Sequence, residues 1–502
     1  MKILLINPPF ERLKKVFNPY FPLGLGYVAA VLADDGHFVK IYNADNGEEI
    51  KDFTAPHNLR IRMSGQDNLI KAINTPGHYV WIEIKKLLQD FEPDIVGIQA
   101  MSSTFPSVQV VSKVCKEYNS KCPVIVGGIH ATIQPERVIA DPNIDFVVVG
   151  EGEITMLELV KSIRIGNNFF HDIDGIYYKD NGTIKQTKKR DFIPDLDDIL
   201  FPARNLVINP HLYNNNEFGS VIFGRGCPFN CTFCNSNSLW SRNVRSRSPE
   251  NMVSEIKLLK NQYGIKTIAF QDDTLTFNQK RLFNLCSLLI KENLKVNWTS
   301  FSRVEIINQE NLSLMKRSGA IALTFGVESG SERMLKLMNK KISLDQVLNA
   351  RNLLGKNGID FACTVLVGTP DETKEDLKQT ISFLKKLKPD SVGVCTYTPY
   401  PGSQMYDRAV ELGLVSSEID YLKYSHFSNY NNFSKDISLE DFEKLRSELV
   451  AIADRLNNRL DIAYLKNKLK QFRRDPIFFV KKMPYYIKNL SKRIRYSHST
   501  FK

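Results

Sequence analysis

Long apolar runs are missing from these 502 residues. No stretch approaches the roughly 18 uninterrupted apolar residues that a membrane span requires, so none is expected. The opening MKILLINPP is halted by two prolines after a short apolar run. It is too short for a secretory leader and reads as a first strand. Cysteine is scarce: eight in the chain, three of them crowded into one loop. That pattern excludes a disulfide framework and fits a reducing, cytoplasmic setting. Acid is missing from one region. Over residues 466–502 twelve Lys and Arg face a single acid, Asp475, so this tail holds nearly all of the +12 net charge and the body almost none. The remaining composition, 43% hydrophobic and 24% charged, is that of an ordinary soluble globular protein.

The most informative stretch is VIFGRGCPFNCTFCN, residues 221–235, where Cys227, Cys231 and Cys234 stand at C-x3-C-x2-C spacing after a Gly-Arg-Gly turn. Iron–sulfur clusters are normally held by four cysteines. Three thiolates on one loop leave one iron of a 4Fe-4S cluster open to a small molecule that binds through an amine and a carboxylate. A zinc knuckle would need a fourth Cys or a His close by, and the segment has neither. A ferredoxin-like carrier would need a fourth Cys in reach, and buried structural cysteines have no reason to adopt this spacing. The loop resembles that of the radical S-adenosylmethionine (SAM) enzymes. The resemblance implies that the open iron chelates the methionine part of SAM and that one electron from the cluster cleaves it to a 5′-deoxyadenosyl radical.

Residues 1–165 alternate short apolar runs with helical patterns: KILLINPP at 2–9, FVKIYNAD at 38–45, DIVGIQAM at 94–101, PVIVGGIHA at 123–131 and DFVVVGEGE at 145–153 are the strands. Nearly all-apolar strands between helices predict a doubly wound parallel sheet of α/β class, with its ligand beyond the carboxyl ends of the strands. Residues 46–78 are polar, contain Gly65, Pro76 and Gly77, and read as an insertion or loop. The pieces NPP, PLGLGYVAAVL, VGGIHAT and GEGE resemble the Rossmann-like cobalamin-binding domain that precedes the barrel in one radical SAM subfamily. The D-x-H-x-x-G motif whose His ligates cobalt is absent, so no His is assigned to the metal. The resemblance implies cobalamin contacts at Ser102, Ser103, Thr104, Gly127, Gly128, His130, Gly150 and Glu153. His130 by itself reads as a hydrogen-bonding loop residue rather than a metal ligand.

Residues 166–219 read as a connector, with Asn181-Gly182 marking a hairpin and a Pro- and Asp-rich linker following it. From 220 to 406 six strand–helix repeats predict a partial (β/α)6 barrel, with polar residues gathered at the carboxyl ends of its strands. Resemblance to the radical SAM core implies SAM contacts at Phe233, Asp272, Asp273, Arg303, Glu328, Ser329, Gly368 and Tyr397. Phe233 and Gly368 would lie along the adenine, the latter by allowing close approach. The acidic pair Asp272-Asp273 serves equally as a helix cap. Arg303 either binds the SAM carboxylate or pairs with Glu305 or Glu310. Cys363 and Cys395 lie on the fifth and sixth strands, where core packing competes with a lumen-facing thiol.

Residues 407–465 read as a small C-terminal helical region, with Ser438–Leu460 placed to close the barrel mouth. The tail at 466–502 mixes aromatic residues with cations; it reads first as a solvated, partly helical segment, and its composition also suits peripheral contact with the inner face of a membrane or a partner. Nucleic acid, which charge alone would also suit, is not expected. The expected protein is a cobalamin-dependent radical SAM enzyme that transfers a methyl group to an unactivated carbon of a small-molecule or lipid substrate. It would draw its electron from a flavodoxin- or ferredoxin-type reductant. Radical oxidation or ring closure, as in the anaerobic magnesium-protoporphyrin ester cyclase, is the second reading. A non-catalytic iron–sulfur or cobalamin sensor is the third.

Overall fold

The computed structural model describes residues 1–18, 20–52, 59–166, 169–416 and 418–457. The basic tail and the end of the 407–465 region therefore lie outside the described residues. The first sheet has a parallel core of β1 (Lys2–Asn7), β2 (Phe38–Asn43), β3 (Ile95–Gln99), β4 (Val124–Gly127) and β5 (Phe146–Val148), in the order β2-β1-β3-β4-β5. Its strands are buried on both faces, which explains their near-continuous apolar sequences. Helices Leu23–Asp34 and Gly152–Arg164 cover one face, and Tyr79–Phe91 and Phe105–Tyr118 the other. The expected hairpin forms as β6 (Ile176–Asp180) and β7 (Thr183–Gln186). It is more than a connector, because β6 pairs antiparallel with β5 and extends the first sheet.

Residues 59–73, read as loop, form a helix from Leu59 to Ile73. Its buried residues are split between two cores. Leu59 and Met63 pack with the second domain, and Leu69 and Ala72 with the first, so the helix bridges them. Gly65 sits mid-helix because a Cβ there would come 2.6 Å from the Lys14 carbonyl oxygen.

After β8 (Ser220–Val221), a two-stranded antiparallel ribbon of β9 (Gly224–Arg225) and β10 (Arg245–Ser246) frames the cysteine loop. The barrel continues through β11 (Thr267–Phe270), β12 (Asn297–Ser302), β13 (Ala320–Glu328), β14 (Asp360–Val367) and β15 (Ser391–Thr396). All six barrel strands are parallel, ordered β8-β11-β12-β13-β14-β15, with β8 and β15 at the free edges. The helix Leu439–Asn457 lies along the edge of β15. Asn457 accepts from the Val392 N–H at 2.7 Å and donates to the Val392 carbonyl at 2.9 Å. The unpaired backbone of an edge strand needs such partners. No helix among the described residues is long and apolar enough to cross a membrane.

Candidate active site

The ribbon holds both stems of the loop 226–244, which carries all three cluster cysteines. Gly226 has φ +100°, and a Cβ there would collide with the Asn243 carbonyl oxygen, so the turn into Cys227 requires glycine. Each thiol has a donor or hydroxyl beside it. Arg303 Nη1 donates to Cys231 Sγ at 3.6 Å, the Ser236 N–H to Cys234 Sγ at 3.4 Å, and Thr274 Oγ1 lies 3.9 Å from Cys227 Sγ. Burial pushes the Cys234 thiol up to about 11 and raises Cys227 as well, a cost that metal coordination removes by deprotonating the thiol outright. Among the described residues no three acidic, His or Cys side chains converge on a single ion. Hydrogen bonds to the sulfurs also tune an iron–sulfur cluster.

The expected SAM residues divide into two groups. Phe233, Arg303 and Glu328 meet around Lys340, which sequence reasoning missed. Lys340 Nζ donates to Glu328 Oε1 at 3.0 Å and lies 5.6 Å from the Phe233 ring centroid, while its carbonyl accepts from Arg303 Nη2. Arg303 is 6% exposed, stacks 3.8 Å over Phe229 and pairs with Glu305 at 2.5 Å. Glu328 adopts φ +67° at a bulge where β13 meets β14. A left-handed non-glycine residue costs free energy, and such residues cluster at functional sites. Gly326 leaves the space into which Glu328 and Lys340 fold.

The second group makes structural contacts around the loop and the strand ends. Asp272 accepts from the Phe223 and Gly224 N–H groups at 3.0 and 2.5 Å, so both its oxygens brace the strand that enters the cluster loop. Asp273 accepts from Ser236 Oγ at 3.0 Å. Ser329 is fully buried, its hydroxyl beside Thr380 and accepting from the Ser331 N–H, which places it in a turn and not on a ligand surface. The close approach that Gly368 permits is made by Phe442, whose ring would stand 2.8 Å from a Cβ. Tyr397 is buried among Met334, Met338, Leu366, Met405 and Phe433, a cluster against which Phe233 packs. On the strands themselves the alternation is clear: Cys363 is core, while Cys395 and Thr364 belong to the half-buried, inward set. Burial holds the Cys395 thiol up at about 12.

At the carboxyl edge of the first sheet, Ser102–Thr104 form a short turn of helix. Gly128 has φ +108° and a Cβ there would lie 2.8 Å from the Ala100 carbonyl oxygen. Gly150, at φ +83°, faces open space, and its N–H donates to Thr132 Oγ1 at 3.0 Å. Gly127 also lacks a side chain here, and Met101, Ile129 and Ile154 are exposed along the same edge. Bare glycines beside exposed apolar side chains fit the broad apolar face of a corrin. His130 is different: it is fully buried, Nδ1 lies 3.0 Å from Ser102 Oγ, and burial lowers its pKa to about 3. A His held there is neutral and enclosed between Phe105 and Tyr421.

Glu153, expected on the cobalamin face, reaches the cluster loop. Glu153 accepts from Arg225 Nη2 at 2.6 Å, and Glu151 from Arg225 Nη1 at 2.5 Å and Arg245 Nη1 at 2.8 Å. The sequence carried a signal for these partners: an arginine in the turn that ends an apolar strand run and two glutamates in a glycine-rich strand end need each other once buried. A second contact lies opposite. The Tyr400 hydroxyl lies beside Ser103 and Thr398, and His426 packs edge-on to Tyr400 at 5.3 Å. The carboxyl edge of the first sheet thus faces the barrel mouth.

A partial barrel holding a three-cysteine cluster loop, with a doubly wound domain facing its mouth, defines a two-cofactor radical enzyme. Residues 67–160 match the B12 binding domain and residues 221–384 the radical SAM superfamily. The chain is 34% identical over 429 residues to an uncharacterised methyltransferase of Pyrococcus horikoshii, covering 85% of this chain and 86% of the relative. It is 32% identical to an anaerobic magnesium-protoporphyrin IX monomethyl ester cyclase of Rubrivivax gelatinosus, over 68% of this chain and 62% of that one. In fold it resembles the radical SAM methyltransferase TsrM of Kitasatospora setae, solved with tryptophan and a SAM analogue bound. The TM-score is 0.70 at 16% identity, covering 91% of this chain and 90% of that one. The chain belongs to the cobalamin-binding branch of the radical SAM enzymes, whose cofactors are a 4Fe-4S cluster, SAM and cobalamin. The sensor reading gives way to that membership.

Proposed function

We propose that the chain methylates an unactivated carbon of a small-molecule or lipid substrate held between the barrel lumen and the carboxyl edge of the first sheet. The observation that carries the reading is this juxtaposition, with Ser103 beside Tyr400 and both glutamates of the Gly-Glu-Gly-Glu turn on the stems of the cluster loop. When bound, the cluster supplies the electron that breaks SAM, and cobalamin carries the methyl group to the substrate. The residues of the chain bind and orient. Arg303 and the Ser236 N–H stabilise thiolates at Cys231 and Cys234. Phe233, Lys340 and Glu328 form the wall against which SAM would lie, with Lys340 and Glu328 as charged partners for its carboxylate and ammonium. Phe301, 46% exposed in β12, gives the lumen an apolar wall, and the half-buried Thr324, Thr364 and Cys395 complete it. An external one-electron reductant of flavodoxin or ferredoxin type feeds the cluster.

The relative named as a methyltransferase supports this reaction, and the cyclase relative supports radical oxidation or ring closure as the alternative. Anaerobic reconstitution with iron, sulfide and hydroxocobalamin, then mass spectrometry of extracts incubated with and without the protein, separates the two. A product heavier by one methylene is expected; gain of oxygen or loss of hydrogens overturns methylation. Cys231→Ala should lose cluster absorbance and 5′-deoxyadenosine formation together. The tail-to-membrane contact is tested by liposome sedimentation of the full chain against a 1–465 truncation.

A further inference from the structure

The cluster loop is pinned to the other domain at both of its stems. Arg225 and Arg245 stand directly opposite each other on the β9–β10 ribbon, where like charges repel. They coexist because Glu151 lies between them. Glu151 Oε1 accepts from Arg225 Nη1 at 2.5 Å and Arg245 Nη2 at 3.1 Å, and Oε2 accepts from Arg245 Nη1 at 2.8 Å and the Ile193 N–H at 2.8 Å. Glu153 takes the remaining Arg225 nitrogen at 2.6 Å. The four side chains are at most 10% exposed and carry no net charge. Tyr27, Phe192 and Trp240 cover the guanidinium faces. Beyond Arg225 the chain has no slack, since Gly226 is wedged against Asn243 before Cys227 begins. On the other side, Glu151 directly follows Gly150, which faces the open carboxyl edge of the first sheet, and Glu153 stands two residues beyond Glu151.

We propose that Glu151, Glu153, Arg225 and Arg245 are positioning residues that fix the separation between the cluster and the cobalamin. The inference rests on the two-cofactor reading above and goes beyond it, because nothing in that reading requires the loop and the cobalamin domain to be rigidly joined. Bidentate Arg–carboxylate pairs constrain both distance and orientation, and a misplacement of about 1 Å is enough to cost on the order of 100-fold in rate.

The test uses the full chain, reconstituted anaerobically with iron, sulfide and hydroxocobalamin, then reduced to give the paramagnetic cluster and cob(II)alamin. Pulsed electron paramagnetic resonance reads the distance between the two spins without any substrate. Wild type should give one narrow distribution. Glu153→Gln, and the milder Arg225→Lys, which keeps the charge and loses the fork, should bind both cofactors fully and broaden or shift that distribution. Uncoupling should follow: 5′-deoxyadenosine formation within about twofold of wild type, with methyl transfer down about 10- to 100-fold. If both variants keep the narrow wild-type distribution, the positioning role is overturned while the functional reading stands. If wild type takes up the cluster but no cobalamin, both are overturned. Should Glu153→Gln fail to fold, Arg225→Lys decides alone.

Discussion

The two domains meet along two flanks that use opposite chemistry. At the cluster loop the contact is charged and buried: Arg225 and Arg245 on Glu151 and Glu153, with Arg204 of the linker and Arg247 on the fully buried Glu255 nearby. At the barrel mouth the contact is a strap, residues 419–433, which meets the first domain through scattered hydrogen bonds and rings, with no buried forked ion pair among the described residues. Arg137 donates to the Ile419 carbonyl, Tyr421 to Gln134, Gln66 to the Leu422 carbonyl, and Arg62 stacks 3.8 Å over Phe427. Forked ion pairs hold a geometry and are expensive to break one partner at a time. Single hydrogen bonds and ring contacts can part and re-form cheaply. The rigid flank therefore lies beside the cluster loop, and the yielding flank beside the barrel mouth.

The largest expected break in this contrast is Glu151→Ala. It leaves two buried guanidiniums short of a counter-charge and should cost about 3–5 kcal/mol, read from urea unfolding of the reconstituted protein. A loss below about 1 kcal/mol would class the clamp with surface pairs and erase the contrast. On the strap side, Gln66→Leu should cost about 2 kcal/mol. Gln66 is fully buried, accepts from Lys14 Nζ at 3.1 Å and Ser425 Oγ at 3.0 Å, and donates to the Leu422 carbonyl. Acid should act on the strap side as well. Burial holds His130 at about 3, with Arg137 adding to the effect, against about 6.5 when unfolded. Below that value the unfolded chain takes a proton that the native chain refuses. Stability is therefore lost as pH falls from 6.5 toward 3, at a slope approaching about 1.4 kcal/mol per unit. His130→Gln should flatten the slope of urea midpoints measured between pH 7 and 5.

The sequence carried one flank better than the other. All-apolar strands and the C-x3-C-x2-C spacing are local patterns, and both domains followed from them. Arg225 and the Gly-Glu-Gly-Glu turn stand at a Gly-Arg-Gly turn and a glycine-rich strand end, and their pairing appears only when the two domains meet. The strap had no such mark. Its anchor, the Leu59–Ile73 helix, divides its apolar residues between two cores and carries Gly65 for close packing, so neither helical periodicity nor glycine usage announced it. The barrel ends are harder to read for a related reason. Gly368 and Ser329 stand at the right strand ends, but Phe442 and Thr380, both distant in the chain, occupy the space around them. Residue type at a strand end fixes what a group can bind; long-range packing decides whether it is free to do so.

The smallest change sharpens the contrast furthest. Tyr421→Phe removes only the hydroxyl that donates to Gln134 Oε1 at 2.9 Å and keeps the ring edge-on to His130 at 5.0 Å. The loss should be about 1 kcal/mol or less, too little to shift global unfolding clearly. Local opening is more sensitive, because mobile segments open with free energies far below the global value. Amide exchange over residues 419–425 should quicken about fivefold, the factor that corresponds to about 1 kcal/mol. The Ile193 amide, held on Glu151 in the charged clamp, should exchange as in wild type. If both sites quicken together, the two flanks open as one unit, and the division between a rigid side and a yielding side is wrong.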